Sequence, residues 1–216
     1  RGMSVRLSRP GKEMKLAQST MLMANERENV ETAIAGDIIG IYDTGNYQIG
    51  DTLTTTKEPL FFEPLPTFPP ELFALVTPKD TMKAKQFQKG VAQLAQEGAI
   101  KVYRNQYNEV VIGAVGQLQF EVFEYRLKNE YNAQVRMDRL DFSTARWVQI
   151  DADPSSRDYA AALEKIKDVL DSRTMLVFDH FERPIILFAN QFTLQYFCEK
   201  HKDIKLVEAL DVQNQY

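Results

Sequence analysis

A proline-rich segment divides this chain into two parts of different character. Four prolines stand within residues 64–70, and proline fixes the backbone and lacks the N–H group that a helix or a sheet requires. Regular secondary structure is therefore not expected to continue through this segment. We place a domain boundary here, with one domain at residues 1–63 and a second at 64–216. The alternative is a long surface loop inside a single domain.

The composition narrows the class of protein. A chain of 216 residues with 44% hydrophobic and 26% charged residues is typical of a globular protein with a real core, which excludes disordered and collagen-like chains. One cysteine and two histidines exclude an internal disulfide and a structural zinc cage. No apolar run is long enough to cross a membrane and no signal pattern opens the chain, so we expect a cytoplasmic protein without a membrane partner.

The first part is predicted to contain only β-strands. Short apolar or alternating runs predict strands over 4–7, 14–18, 37–42 and 52–56. Turn signals separate them at 9–12, 43–46 and 49–51. So few short strands leave sheet edges unpaired, and they need further strands to close a barrel. Because the chain also begins with Arg1 and not with Met, we expect it to be a fragment of a longer protein.

The second part alternates strands and helices. Strands are predicted over 72–76, 100–104, 110–115 and 133–137. One helix begins at Asp80 and ends at Gly98, with Phe87, Val91 and Leu94 on its apolar stripe. The next runs from Gly116 to about Asn132, and the residues expected to be buried in it are Leu118, Val122, Phe123 and Leu127. This β-α-β-β-α-β order is that of a ferredoxin-like unit over about 71–138.

The last third of the chain, about 144–210, repeats the order of elements. Strands are predicted over 146–150, 175–178, 185–188 and 204–207. One helix is predicted with Asp153 as its N-cap, and its apolar face is Tyr159, Leu163, Ile166 and Leu170. The final helix carries Leu194, Phe197 and Cys198 on its buried side. No sequence motif repeats, so only the element order suggests a duplication. The fold class is α+β.

No pattern of catalytic residues is present. Gly11-Lys12 lacks the upstream glycine and the following Ser or Thr of a phosphate-binding P-loop. Gly113 to Gly116 lacks the third glycine of a dinucleotide fingerprint and is interpreted as a strand-to-helix turn. Cys198 and His201 are the one pair that suggests an enzyme, but a buried core thiol is the expected role of Cys198. His180 is interpreted as a loop residue. We therefore expect no catalytic, cofactor-binding or metal-binding residues in this chain.

Two groups of basic residues are candidates for binding phosphate. The first group surrounds the first turn: Arg1, Arg6, Arg9, Lys12 and Lys15. The second group lies at the start of the first helix: Lys79, Lys83, Lys85 and Lys89. Lys85 and Lys89 are one helical turn apart, and Lys83 is expected beside them on the polar face. A solvated helix face is the alternative interpretation, and binding that weakens steeply with salt would distinguish the two.

Longer stretches of sequence resemble a known family. Residues 33–41 followed by 49–53 resemble the end of the β-barrel second domain of translational GTPases, in which the glycines make turns and the apolar residues fill the interior. The second part contains Pro-Glu-Leu-Phe at 70–73, Gly-Ala-Val-Gly-Gln-Leu-Gln-Phe-Glu-Val at 113–122 and Ala-Arg-Trp-Val at 145–148. These stretches resemble the family of bacterial peptide chain release factor 3, the class II release factor. Elongation factor G resembles the chain more weakly, over the ferredoxin-like unit.

The resemblance implies a function for the whole protein. Members of this family are GTPases that bind the ribosome after peptide release and drive dissociation of class I release factors. The nucleotide domain would precede Arg1, so GTP and magnesium are expected only there, and the fragment is expected to have no enzymatic activity. What remains would contact ribosomal RNA and a small-subunit protein and would move with the GTPase domain. The candidate contacts are Lys79, Lys83, Lys85, Lys89, Arg9 and Lys12.

Two alternatives to this function remain open. One is the C-terminal part of another translational GTPase similar to elongation factor G. The other is a regulatory α+β domain that binds a small ligand, which predicts an apolar pocket with convergent polar groups and no binding to ribosomes.

Overall fold

The computed structural model describes residues 2–9, 11–16, 19–23, 26–42, 47, 49–58, 60–62 and 69–208. The chain divides into two compact units, 1–66 and 67–216. Several sequence predictions lie outside the described residues: Arg1, the end of the predicted strand at 17–18, the turn at 43–46, most of the proline-rich segment and the last residues of the extension at 209–210.

The first unit consists of short antiparallel strands. They are β1 Ser4–Leu7, β2 Lys12–Lys15, β3 Ser19–Met23, β4 Glu26–Val30, β5 Gly40–Ile41 and β6 Leu53–Thr54. The described strands of this unit form two three-stranded sheets, with orders β2-β1-β6 and β4-β3-β5. Val5 and Leu7 of the central strand β1 are buried, because alternate residues of a strand face the same side.

The sequence prediction missed part of this unit. Strands β3 and β4 were not predicted, since the polar residues of β4 give no clear alternation. The strand predicted over 37–42 is reduced to β5, and Ile34 and Ile38 are exposed and do not fill an interior. Gly36 and Gly50 both have positive φ angles, as expected for glycines that make turns.

The second unit contains eight strands, four α-helices and one short 3₁₀ helix among its described residues. Its strands are β7 Leu72–Pro78, β8 Lys101–Asn105, β9 Val110–Ala114, β10 Val135–Leu140, β11 Thr144–Gln149, β12 Thr174–Phe178, β13 Pro184–Phe188 and β14 Lys205–Val207. Its helices are the 3₁₀ helix Thr81–Lys83, α1 Ala84–Gln96, α2 Gln117–Glu130, α3 Arg157–Val169 and α4 Gln191–Lys200. The ferredoxin-like element order predicted for the first half is confirmed.

The eight strands form one antiparallel sheet with the order β10-β7-β9-β8-β12-β13-β11-β14. Numbered within each half, this order is 4-1-3-2 followed by 2-3-1-4. The second unit therefore contains two ferredoxin-like repeats: repeat 1, residues 72–140, and repeat 2, residues 144–207. They join where β8 pairs with β12, with Asn105 opposite Val177 and Arg104 opposite Phe178.

The duplication extends to details of the backbone. In repeat 1 the turn between β8 and β9 has Asn108 at φ 61°, and in repeat 2 the turn between β12 and β13 has Glu182 at the same angle. In each turn one side-chain oxygen accepts two backbone N–H groups. This oxygen belongs to Asn105 in repeat 1 and to Asp179 in repeat 2. Each corresponding pair is 74 residues apart, and the equal φ angles and matching hydrogen bonds give the two turns the same geometry.

The core of the second unit has three clusters of buried side chains. One cluster packs α1 and α2 against repeat 1, and another packs α3 and α4 against repeat 2. A central cluster joins the helix-free faces of both halves of the sheet, including Phe73, Tyr103 and Val111 from repeat 1 and Val177 and Ile185 from repeat 2. The helices of both repeats therefore lie on the outside of the unit.

Several side chains differ from the sequence prediction. Leu118 and Val122 of α2 are exposed, at 69% and 41%, and Phe120 and Phe123 are buried together with Leu127. The helix is apolar on both faces, so its periodicity did not identify the buried one. Cys198 is also exposed, which corrects its prediction as a core thiol.

The start of α3 differs as well. Its N-cap is Ser156, whose hydroxyl accepts the N–H of Tyr159, and not Asp153. Asp153 instead accepts the N–H of Ser155 and stabilises the preceding turn. Hydrogen bonds from Ser155 lower the pKa of the Asp153 carboxyl.

Candidate nucleic-acid interface

Helix α1 presents a basic face with no carboxylate on the helix. Asp80 caps the preceding 3₁₀ turn by accepting the N–H of Met82, and the chain then continues into α1. Phe87 and Leu94 are among the residues of α1 that face the core. Lys85 and Lys89 lie on the opposite side, both exposed, and the segment 84–96 contains no Asp or Glu. This face can therefore approach phosphate without repulsion from its own helix.

A close helix contact fixes the position of this face. A Cβ atom added at Gly90 would lie 2.6 Å from Leu127 and 2.8 Å from Tyr131, so α1 and α2 approach each other closely only because residue 90 is glycine. Leu127 is fully buried. The lysines of α1 therefore extend from a well-packed helix.

The four lysines of this segment fall into two sets. Lys83 lies in the 3₁₀ turn, half-buried, and its Nζ donates to Oδ1 of Asn132 at 3.1 Å. It is therefore not on the polar face of α1, where the sequence prediction placed it. Lys79 is exposed and lines a small hollow of about 100 Å³ together with Lys128 of α2. Lys79, Lys83 and Lys128 lie towards the C-terminal end of α2, whereas Lys85 and Lys89 face outwards.

Arg104 of β8 lies beside the outer face of α1. Its Nη2 donates to Oε1 of Gln88 at 2.6 Å, and Nη1 donates to the carbonyl of Asn108 at 3.1 Å. Gln88 is next to Lys89 in the sequence and three residues from Lys85. No local sequence signal indicates this contribution, because it depends on how α1 packs on the sheet.

Repeat 2 has a different charge pattern at the corresponding helix. Helix α3 carries Asp158, Glu164 and Asp168 among its basic residues. Lys167 forms an ion pair with Glu164 at 2.6 Å, and Lys165 forms one with Asp203. The lysines of α3 are therefore partly neutralised by carboxylates.

The basic group of the first unit is partly engaged within that unit. The Arg9 guanidinium binds both carboxylate oxygens of Asp51, with N–O distances of 2.7 and 2.9 Å, and this hydrogen bonding raises the pKa of Arg9. Arg6 donates to the carbonyls of Gly11 and Lys57. Lys12 and Lys15, at the two ends of β2, are both exposed. Arg9 thus has a local structural partner, and a phosphate contact at Lys12 remains a prediction.

Neither of the two glycine-containing turns has the geometry of a phosphate-binding loop. Gly11 and Lys12 lie in the hairpin between β1 and β2, where a P-loop would connect a strand to a helix. At the start of α2, Oε1 of Gln119 accepts the N–H groups of Val115 and Gly116, which a phosphate would otherwise need. GTP therefore does not fit at either of these two turns.

Metal binding and histidine chemistry were the other possibilities to compare with the structure. No group of three or more His, Cys, Asp or Glu side chains within the described residues could hold a metal ion. The His201 ring packs on Phe197, with centroids 4.8 Å apart. Burial lowers the pKa of His180 in the hairpin turn of repeat 2. Within the described part of the chain, no helix is long and apolar enough to cross a membrane.

Each of the two units matches a known protein family. Residues 1–56 match the family Elongation factor G domain 2, and residues 62–198 match the family Class II release factor RF3, C-terminal domain. The first unit is thus part of a β-barrel domain of the translational GTPase type, followed by the α/β domain. Because the second match covers more than half of the chain, the chain belongs to the class II release factor RF3 family.

Individual relatives agree with this assignment. The chain is 52% identical over 211 residues to peptide chain release factor 3 of Streptococcus thermophilus, covering 97% of this chain and 39% of that protein. It is 52% identical over 212 residues to peptide chain release factor 3 of Listeria monocytogenes, covering 97% of this chain and 38% of that protein. The chain therefore spans about two fifths of the length of these relatives.

A solved structure shares the fold. The crystal structure of a protein from Thermus thermophilus matches with a TM-score of 0.53 and 18% identity, covering 71% of this chain and 25% of that one. At this identity the likeness concerns the fold alone.

Proposed function

We propose that this chain is the ribosome-docking and conformational-coupling part of a peptide chain release factor 3. The observation that carries the proposal is the match of both units, in order, to domains of translational GTPases, with the larger one matching release factor RF3. On this proposal the full-length factor uses GTP to release class I release factors from the ribosome after termination. GTP binding and hydrolysis belong to a separate nucleotide domain, and this chain itself is not an enzyme.

The proposed docking surface is the outer face of α1. Lys85 and Lys89 supply two cations one turn apart, and Arg104 adds a third beside Gln88. Surface lysines that contact phosphate release counterions on binding, so they contribute affinity that depends on salt. Ribosomal RNA is the partner with the matching charge, and a small-subunit protein is a further proposed partner.

The proposed role of the chain in the factor is mechanical. The nucleotide state would shift the population between two arrangements of the GTPase domain against these two units. Each arrangement would have its own affinity for the ribosome, because a ligand shifts such an equilibrium only by its difference in affinity for the two states.

The docking proposal is tested with the full-length factor that contains this chain. The double variant K85Q/K89Q should bind ribosomes more weakly at physiological salt, and the slope of log affinity against log salt should fall by about 2, about one for each lysine. The matched control is K165Q/K167Q, which removes two lysines of α3 that are already paired with carboxylates. Equal ribosome binding by K85Q/K89Q and the unmodified factor would overturn the proposed surface.

A further inference from the structure

A groove of about 340 Å³ lies between the first half of α2 and strand β10. Strand β10 is at the end of the eight-stranded sheet, so one wall of the groove is a sheet edge and the other is a helix. Lys79 lines both this groove and the small hollow that contains Lys128. The groove therefore adjoins the hollow that contains Lys128.

The groove contains a planar stacking surface. The guanidinium carbon of Arg139 lies 4.2 Å from the centroid of the Phe120 ring, and Phe120 is 1% exposed. Arg139 itself is exposed, so one face of its guanidinium covers the ring while the side chain remains accessible from the groove. Guanidinium planes stack on unpaired bases, particularly those of RNA.

The charged residues around this surface have both signs. Lys79 is a further cation that lines the groove, whereas Arg136 borders it and pairs with Asp138 at 2.9 Å on the other face of β10.

Carboxylates line the helical wall of the groove. Glu121 and Glu124 project from α2 and are exposed. Carboxylates repel a phosphate but accept hydrogen bonds from the amino groups of adenine, cytosine and guanine. A site for phosphate alone would not contain them, and a site for an apolar ligand would not need charges. The stacking surface and the carboxylates suit a base, and the cation Lys79 suits a phosphate.

We propose that this groove binds one unstacked nucleotide of single-stranded RNA. The base stacks on Arg139, its amino group faces Glu121 or Glu124, and the phosphate lies near Lys79. The inference deepens the proposed function, on which it rests for placing RNA beside repeat 1, and it adds recognition of a base to contact with phosphate. A volume of about 340 Å³ lies at the lower end of the range for small-ligand sites.

The test measures binding of labelled RNA hexamers to the 216-residue chain by fluorescence anisotropy at low salt. Hexamers of adenylate and cytidylate should bind more tightly than uridylate, because uracil has no amino group for the carboxylates. The variant E121Q/E124Q should remove this preference. The variant R139K keeps the positive charge but lacks the planar guanidinium group. Its affinity for all three hexamers should be roughly tenfold lower, as expected for loss of one stacked base.

Controls separate recognition from general charge and from misfolding. R173K is the matched control, because Arg173 is exposed in a turn of repeat 2, and it should bind like the unmodified chain. Circular dichroism checks that R139K is folded. The variant E121Q/E124Q tests the groove and leaves the contact between Arg139 and Phe120 unchanged. Equal affinity for the three hexamers, together with unchanged binding by R139K, would overturn the proposal. Complete competition by inorganic pyrophosphate would instead identify a phosphate site without base recognition and would equally overturn it.

The two proposals fail in different ways. If R139K binds RNA normally while K85Q/K89Q weakens ribosome binding, the proposal for the groove is wrong and the proposed docking surface is supported. If R139K and E121Q/E124Q behave as expected while K85Q/K89Q leaves ribosome binding unchanged, the proposed docking surface is wrong and the proposal for the groove is supported.

Discussion

Repeat 1 and repeat 2 share a backbone and differ in the charges that they place on it. Helix α1 has exposed lysines and no carboxylate, whereas α3 mixes both signs and pairs Lys165 with Asp203 and Lys167 with Glu164. Both helices occupy the same position in a ferredoxin-like unit. The difference teaches that the fold alone does not define a site, and that the candidate RNA surface arises from the side chains that one copy carries.

The hairpin turns show the same contrast on a smaller scale. In repeat 1 the amide of Asn105 donates to Glu109 at 2.7 Å. At the corresponding positions in repeat 2, Asp179 accepts from the guanidinium of Arg183 at 2.8 Å and from the indole of Trp147 at 3.4 Å. The same turn is therefore closed by an amide and an acid in one repeat and by an acid and a base in the other.

The largest predicted effect tests whether the two cores are equivalent. Phe123 and Phe197 occupy corresponding positions in α2 and α4 and are 1% and 5% exposed. Phe123→Ala and Phe197→Ala should each lower the free energy of unfolding by about 3–5 kcal/mol, measured by urea denaturation, because each leaves a cavity. The matched controls are Leu118→Ala and Phe192→Ala on the exposed faces, which should each change it by less than about 0.5 kcal/mol. A loss below about 1 kcal/mol for either buried phenylalanine would contradict the equivalence.

A smaller effect is expected from exchanging the turn residues. Asn105→Asp replaces the donated hydrogen bond to Glu109 by two facing carboxylates, and it should lower the free energy of unfolding by about 1–3 kcal/mol at pH 7. Adding Glu109→Arg recreates the pair of repeat 2 and should restore most of the loss.

The pH dependence gives the exchange a second readout. Repulsion raises the folded-state pKa of the facing carboxyl pair above its unfolded value, so the penalty is present at neutral pH and disappears as the pH falls towards about 4. If Asn105→Asp is as stable as the original chain at pH 7, or if Glu109→Arg fails to rescue it, the two turns are not interchangeable.

The smallest predicted effect concerns His180, which corresponds to Gln106 of repeat 1. Burial lowers its folded pKa, opposed by the charge of Asp179 and assisted by Arg183 and Lys101. A lowered pKa means that the folded state prefers the neutral ring, so stability is lost as the pH falls from about 7 to about 5. His180→Gln should flatten the change in melting temperature across this range, measured by thermal denaturation at several pH values. An unchanged profile would show that His180 does not contribute to it.

Much of the second unit could be predicted because its elements are punctuated clearly. Asp80 does cap the first helical turn, and the strands around 110–115 and 185–188 are buried apolar runs. The duplication could only be suspected, because few residues match between the repeats: Gln117 corresponds to Gln191 and Phe123 to Phe197. The two repeats reach the same fold through a similar pattern of burial and turns, without sharing much sequence.

The errors about the buried sides of α2 and α4 have a common physical cause. The outer faces of α2 and α4 are apolar as well as the inner ones, with Leu118 and Phe192 both exposed, so the sequence could not identify the buried side. The same ambiguity placed Cys198 in the core. The groove at Arg139 and the position of Arg104 beside α1 depend on packing between elements distant in the sequence, which no local pattern encodes.

Ribosome binding by the full-length factor tests the central claim most directly, when K85Q/K89Q of α1 is compared with K165Q/K167Q of α3 over a range of salt. The account predicts weaker binding and a salt slope smaller by about 2 for the α1 variant, with binding close to that of the unmodified factor for the α3 variant. Equal behaviour of the two variants would contradict the claim that the carboxylate-free face of repeat 1 is the surface that meets RNA.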